Sequence, residues 1–569
     1  MIAAFADAVE VAMPRHSSVR VACLLIGLTT LAVSLLSSHI DAQSPAPGGF
    51  VERATDTDVR PMLTPAQIQS LLPERGLFTF PSPYLTQAVR ITNASDCAGA
   101  DCVWYVGYSY WRNMNNHVGS DTMYIFVGLD EVHGGPTLFG YNKVTDTVTK
   151  MGPLFDAGSQ WAASTGEGWY FSATLPTTMY VNRPVTSTLE RYDVVTRAFT
   201  TVFDVASRPD LFGPNRYIWQ FHSSNDDRVH SATLRDAATF AELGCLAYRE
   251  DTQQFFYFPQ RGFAYDECQI DKSGTWLLIK EKLGTDPASE VDNRIIDLDT
   301  GAETQLLDRD GAGGHSDNGY AYMVAADNWN SLPNAIRLWH FGSNPIVPGN
   351  VVYYDPQWQP GSVNHVSHAS TRSDVAAEQQ YACGSGANAV NGPRTNEIVC
   401  FVLDGSLRTL VVAPVMTDMN APGGGDSYAK YPKGNLDVTG QYFMWTTNMS
   451  GSRQDAFIVK VPSQLLTDGG ADTIAPSVAI TSPAHGSIIV GSTVVAATAY
   501  DNVGVVGVQF KLDGANLGAE VMNPPYARTW APPVTASGQH VLTAVARDAA
   551  GNTRTSSAVS VIVIGRLAN

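Results

Sequence analysis

Histidine is scarce in this chain, twelve in 569 residues, and several of the twelve recur at one kind of place. His117, His222, His315, His365 and His368 fall at or near the start of short apolar runs, as in Trp219-Gln220-Phe221-His222, Gly313-Gly314-His315-Ser316-Asp317 and Asn364-His365-Val366-Ser367-His368. Imidazoles brought to about 2.0–2.2 Å from one point hold a divalent metal. His222, His315, His365 and His368 are therefore a candidate metal set, and Gln220 or Asn364 would add an oxygen ligand. The same positions suit a structural role, in which a histidine bonds its own turn and locks neighbouring units. His315, followed by Ser316 and Asp317, fits that role as well.

The elements that would bring such residues together are short strands. From Ile270 to Val324 the chain reads Ile270-Asp271-Lys272-Ser273-Gly274-Thr275-Trp276-Leu277, then Ile296-Asp297-Leu298-Asp299-Thr300-Gly301, then Gly314-His315-Ser316. Each piece is an apolar run closed by an Asp/Gly turn, without helical periodicity. This is the pattern of one four-stranded propeller blade and the first strand of the next. His117, Ser164, His222, Cys268, His315, His365 and Pro432 mark similar starts, about 46 to 67 residues apart, which predicts about seven blades. Hairpin signatures recur at Tyr141-Asn142, Tyr192-Asp193, Asp297 and Asp404, with turns built from Asp, Thr and Gly. Inner strands of a propeller start around one axis, so these histidines are expected at a shared channel mouth.

The Asp-x-x-Gly-x-aromatic and Asp-Leu-Asp-Thr-Gly pieces, over roughly residues 100 to 462, resemble the repeats of Tol-type periplasmic propellers and of oligogalacturonate-lyase-like propellers. The second resemblance implies a metal held by several His and a Gln at the channel mouth, where it neutralises a uronate carboxylate and eases removal of the C5 proton. Arg216, Arg228, Tyr320 and Arg372 are the candidates to take that proton or sit beside it. Lys430 and Lys433 would add positive charge, and Gln220, Asn364 and Lys433 are candidate ligand contacts. The C-terminal segment carries Pro476-x-Val478-x-Ile480-x-Ser482-Pro483, Asp501-Asn502-Val503-Gly504, Asp513-Gly514, Pro525-Tyr526 and a closing Asp548-x-Ala550-Gly551-Asn552. It is similar to bacterial Ig-like domains, which implies a spacer, anchor or glycan-binding module.

Bulk properties narrow the function. A net charge of −18 argues against sequence-independent nucleic-acid binding, which needs a basic surface. Arg15 and Arg20 precede the uncharged run Val21–Leu36, with a small-residue cut expected after Ala42; Met13 is a candidate true start. Residues 1–42 are thus expected to be a removed export signal, leaving no membrane span in the mature chain. Removal of Cys23 with it leaves six cysteines, an even number in an exported chain. They form three local couples, Cys97 with Cys102, Cys245 with Cys268, and Cys383 with Cys400, chosen by proximity from fifteen possible pairings.

Other patterns are weaker. Gly384-Ser385-Gly386 lacks the strand–elbow–helix setting of a serine nucleophile. Gly423-Gly424-Gly425-Asp426 has no Lys-Ser/Thr after it, and Asp308-Arg309-Asp310-Gly311 lacks calcium-loop spacing. The expected organisation is all-β: residues 43–100 a leader with a short helix near Thr64-Pro65, 101–465 a roughly seven-bladed β-propeller, 466–475 a linker, and 476–565 an Ig-like β-sandwich. The expected function is exported binding of a glycan or surface protein at the channel mouth. The alternative is a lyase acting on uronate glycans with a divalent metal.

Overall fold

The computed structural model describes residues 46–564 apart from 105–109, 118, 160, 162–167, 285–290, 328–331, 333–334, 343–348, 356–366, 369–372, 374, 468–474, 501–504, 523–525 and 549–551. The expected export signal lies outside them, as do His365, Asn364 and Arg372. No helix among the described residues is long and apolar enough to cross a membrane.

Among the described residues, seven of the sheets are antiparallel blades. Their inner strands are Met114–Asn115, Tyr170–Phe171, Arg216–Ser223, Tyr265–Ile270, Gly313–Asn318, Ser367–His368 and Asn435–Leu436. The landmarks His117, His222, Cys268, His315 and Pro432 fall in or close to these strands, while Ser164 and His365 lie outside the described residues. Each blade is joined to the next by hydrogen bonds. Asn115 Nδ2 donates to the Pro176 carbonyl at 2.5 Å, Asn182 Nδ2 to that of Ile218 at 2.9 Å, and the Ile270 N–H to Ser231 Oγ at 2.8 Å. The Ala321 N–H reaches Asp271 Oδ2 at 2.8 Å, the His368 N–H reaches Asp317 Oδ2 at 2.9 Å, and the Leu436 N–H reaches Ser367 Oγ at 3.0 Å. Asn116 Nδ2 donates to Asp437 Oδ2 at 3.0 Å, which returns the chain of bonds from the seventh blade to the first.

The repeated turn signatures have a physical cause. In the outer hairpins one side-chain oxygen accepts two successive backbone N–H groups. Asp193 Oδ1 takes those of Val195 and Thr196 at 3.0 and 2.7 Å, and in the hairpin between the second and third strands of the third blade Asp236 Oδ1 likewise takes those of Ala238 and Thr239, both at 2.9 Å. Asp297 repeats this with Asp299 and Thr300, and Asn142 with Val144 and Thr145. The hairpin then needs a left-handed residue, supplied by Gly301 at φ 74° or, with more strain, by Arg197 at φ 61°. Asp271 and Asp437 do the same work in the inner turns, accepting from the Trp276 and Tyr442 N–H groups at 3.0 and 2.7 Å. Between blades the middle strands are buried on both faces, so Leu277, Leu278 and Ile279 are all inaccessible although they are consecutive.

One boundary is corrected. Residues 43–100 are not a leader preceding the propeller. Phe50–Arg53 pairs with Arg408–Pro414 as the outermost strand of the sixth blade. Gln87–Arg90 pairs with Asp455–Lys460, and Gly76–Thr79 lies outside it, so the N-terminal segment completes the seventh blade. The expected short helix is present as Pro65–Leu71, with Thr64 and Gln67 forming a capping box.

The three cysteine couples are disulfide-bonded as expected. Cys383 and Cys400 face each other within the sixth blade. Cys245 lies on the third blade and Cys268 on the fourth, so this bond ties neighbouring blades. Replacing both by Ala should lower unfolding free energy by about 3 kcal/mol, because the closed loop of 23 residues no longer restricts the unfolded chain. The urea midpoint, read against wild type without reductant, checks this; an unchanged midpoint would show that packing alone holds the two blades.

The C-terminal module is a sandwich. Ser477–Ser482, Thr493–Tyr500 and Ala527–Trp530 form one sheet, and a second sheet is centred on Val505–Leu512, Gly538–Asp548 and Val559–Val563. Its core contains Val495, Val508, Phe510, Trp530, Leu542, Ala544, Val561 and Val563. It holds no cysteine, so packing alone joins its sheets.

Candidate ligand site at the propeller axis

Inner-strand ends and the turns beside them line a pocket that is partly open to solvent. Six blades contribute to its wall: Tyr170 from the second, His222 and Ser223 from the third, Gln269 from the fourth, Asp317 from the fifth, His368 from the sixth and Asp437 from the seventh. Tyr110, Arg112, Asn225 and Lys272 enter from the connecting segments.

The wall is charged, and its charges are unequally matched. Asp317 accepts the His368 N–H at 2.9 Å and faces His368 Nδ1 at 3.2 Å and Lys272 Nζ at 3.5 Å. Burial alone would raise its pKa, but Lys272 and His368 outweigh this and hold it well below the usual carboxylate range. Burial draws Lys272 down to about 8, against the opposing pull of Asp317. Arg112 differs. Its Nη1 donates to Asn225 Oδ1 at 3.1 Å, its guanidinium lies 5.9 Å from the Tyr170 ring centre, and its buried Nε has no hydrogen-bond partner. No carboxylate among the described residues forms an ion pair with it.

His222 packs against Tyr110 and Trp111, with ring centres 5.4 and 5.8 Å away. Burial brings its pKa to about 4, so the imidazole is neutral at pH 7. His368 is fully engaged: besides Asp317, its Nε2 lies 3.1 Å from the Tyr322 hydroxyl. His315 stands apart from the wall, with Nδ1 3.1 Å from Glu267 Oε1, and this carboxylate raises its pKa against the opposing effect of burial.

Of the four histidines expected to hold a metal, His222 and His368 share the cavity and His365 lies outside the described residues, while among the described residues His222, His315 and His368 do not bring their nitrogens together as a trio. Ligand bonds near 2 Å leave no way to span such a set. Lys272 Nζ lies 3.5 Å from His368 Nδ1, and an ammonium there opposes a cation. A tighter group of ligand-type atoms is Asp266, Glu267 and His315. Glu267 there is already neutralised by Lys280 Nζ at 3.2 Å and bonded by Gln269 and Tyr110, so the group does not fit a divalent ion without losing those bonds.

Other candidates are placed elsewhere. Arg216 begins the strand that His222 and Ser223 end, roughly 20 Å away at about 3.3 Å per residue. It is paired with Asp236 at 2.5 Å. Gln220 occupies a bulge of the same strand at φ 45°, off the cavity wall. Lys433 is buried against the Tyr428 ring, 3.8 Å from its centre, and bonds the Tyr428 carbonyl. Lys430 donates to the Met419 carbonyl at 3.1 Å. Tyr320 sits beside the site, its hydroxyl receiving Asn225 Nδ2 at 3.3 Å. Arg112 and Lys272 are the cations that sequence reasoning missed. Lys272 stands inside the Asp-x-x-Gly blade turn, which marked it as architecture.

A search of curated protein sequences gives no match. Among solved structures the chain is similar to an oligogalacturonate lyase in complex with manganese, at 11% identity over 69% of this chain and 98% of that one, with a TM-score of 0.49. It is also similar to an oligogalacturonate lyase from Vibrio parahaemolyticus, at 10% over 74% and 100%, with a TM-score of 0.47. TolB from Acinetobacter baumannii matches at 10% over 61% and 78%, with a TM-score of 0.30. These likenesses are of chain path and carry no argument about chemistry. Residues 476–544 match the bacterial Ig domain family. The chain is a β-propeller with a bacterial Ig domain at its C-terminal end.

Proposed function

We propose that the propeller binds an acidic glycan at the axial cavity, one uronate carboxylate meeting Arg112 and Lys272. The observation that carries this is Arg112, a guanidinium on the cavity wall with an orphaned buried nitrogen and, among the described residues, no carboxylate partner. A planar fork of donors suits a carboxylate. Tyr110 and Tyr170 supply ring faces, while Asn225, Gln269 and Asn318 supply groups for sugar hydroxyls. The Ig domain serves as spacer or second contact. The disulfides and the bacterial Ig domain are compatible with an extracellular or periplasmic location.

Calorimetric titration with oligouronates and with neutral oligosaccharides of the same length tests this reading. Oligouronates should bind and the neutral set should not. Arg112→Gln should weaken binding about 30-fold or more, the order of 2 kcal/mol for a buried charge contact. Equal affinity for both sets would sink the proposal. One observation favours a second reading, cleavage by β-elimination. His222 is a neutral imidazole on the same wall, its ring making no hydrogen bond among the described residues, and in this reading it is the base that takes a proton from a held uronate. The same mixtures, scanned for the ultraviolet absorbance of an unsaturated uronate, separate holding from cleaving.

A further inference from the structure

The third blade holds a chain of hydrogen bonds that glycan binding does not use. Ser223 ends the inner strand and pairs in register with His230 across a tight hairpin. Ser223 Oγ lies 2.5 Å from His230 Nδ1, and His230 Nε2 lies 2.5 Å from Glu250 Oε1. Glu250 also receives Arg191. Burial would raise the Glu250 pKa, yet the bonds from His230 and Arg191 outweigh it and lower the value. Glu250 is thus a carboxylate that fixes the proton of His230 on Nε2 and leaves Nδ1 to accept from the serine hydroxyl. His230 is sealed from solvent, whereas Ser223 belongs to the cavity wall, where the Tyr170 hydroxyl donates to its Oγ.

We propose that Ser223 is a nucleophile, with His230 as its base and Glu250 as the group that orients that base, and that the cavity hydrolyses a carboxylic ester borne by an acidic glycan. A nucleophile, a base within hydrogen-bond reach and an acid behind the base are the parts that acyl transfer requires, whatever the fold. Ser223 Oγ attacks the ester carbonyl carbon and passes its proton to His230 Nδ1, and Glu250 stabilises the imidazolium. The C–O bond to the alcohol breaks, and the alcohol leaves with that proton. Water, deprotonated by the same nitrogen, then splits the acyl-serine, releasing the acid and restoring Ser223. The Arg112 guanidinium is the wall's donor for the oxygen that gains charge. The substrate class rests on the acidic-glycan reading; the nucleophile does not.

The test uses the full chain and a fluorophosphonate, which needs no glycan. Folded wild type should take up one adduct, mapped by mass spectrometry to Ser223, and Ser223→Ala should take up none. His230→Gln and the more exposed Glu250→Gln, each checked for native circular dichroism, should slow labelling on the order of 100-fold or more. Absence of an adduct on folded wild type overturns the proposal and leaves the chain of bonds as a lock between strands. So does labelling that is insensitive to both variants. Methanol release from a methyl-esterified polyuronate then tests the substrate class. Labelling at Ser223 without oligouronate binding would refute the glycan reading alone, and binding without labelling would refute the nucleophile alone.

Discussion

Arg394→Ala should lower the unfolding free energy by about 3–5 kcal/mol, the largest single-residue loss expected outside the apolar core. The Arg394 side chain is fully buried and binds two carboxylates, Asp355 and, at 2.5 Å, Glu52. Its Nη2 also donates to the Ala54 and Asp56 carbonyls, each at 2.8 Å. Glu52 lies on the strand Phe50–Arg53, so the guanidinium clamps the N-terminal segment onto the sixth blade. Removing it leaves two carboxylates short of a cation where water cannot replace it. Arg60, 2.6 Å from Glu397 and 3.0 Å from Glu52, compensates only in part. The urea midpoint gives the magnitude, and hydrogen exchange at residues 50–53 shows whether this strand detaches first. A loss below about 1 kcal/mol would mean that the pair is solvated and behaves as a surface bridge.

Asp317→Asn should cost a similar amount, about 3–5 kcal/mol, and should disable the cavity as well. Asp317 is the carboxylate beside both Lys272 and His368. Its folded pKa lies below its unfolded value, so its stabilisation is complete above the ordinary carboxylate range and is lost as pH falls toward the folded value. The variant should therefore lose this part of its acid dependence. Lys272 acts on the alkaline side. Its folded pKa of about 8 lies below the ordinary 10.5, so the folded chain releases that proton first and gains relative stability as pH rises from about 8. Binding runs the other way: oligouronate affinity should fall from pH 7 to pH 9 as the ammonium is lost. In Asp317→Asn the lysine has no counter-charge, and the affinity should already be low at pH 7. An affinity flat across that range, in both proteins, would remove Lys272 from the ligand contact.

Much of the fold was legible because its signals are local. Asp193, Asp236 and Asp297 each bond the backbone two and three residues ahead, so each of these hairpins carries its own turn in a few consecutive residues. The period of the inner strands could then be counted; of the five histidines that count put at the channel mouth, His222 and His368 line the cavity, His117 and His315 do not, and His365 lies outside the described residues. The cysteine couples were legible for the same reason, since their partners lie 5, 23 and 17 residues apart.

What escaped the sequence depends on partners far away. Ala88 pairs with Val459 and Phe50 with Val411, and nothing in the weakly patterned stretch 50–90 announces such partners. Ring closure supplies them, because a seventh blade ending at Lys460 exposes an edge that another strand must cover. The site escaped in the same way. Arg112, Lys272, Ser223 and Asp317 belong to different segments and meet only where the blades converge. Their residue types suit turns and strand ends as readily as a cavity wall. By itself the sequence determined the blade, its repeat and the appended Ig domain. The tertiary structure decided which side chains face the axis, which histidines are already engaged, and which cation is without a counter-charge among the described residues. These depend on distances between blades, and the order of residues along one blade does not specify them.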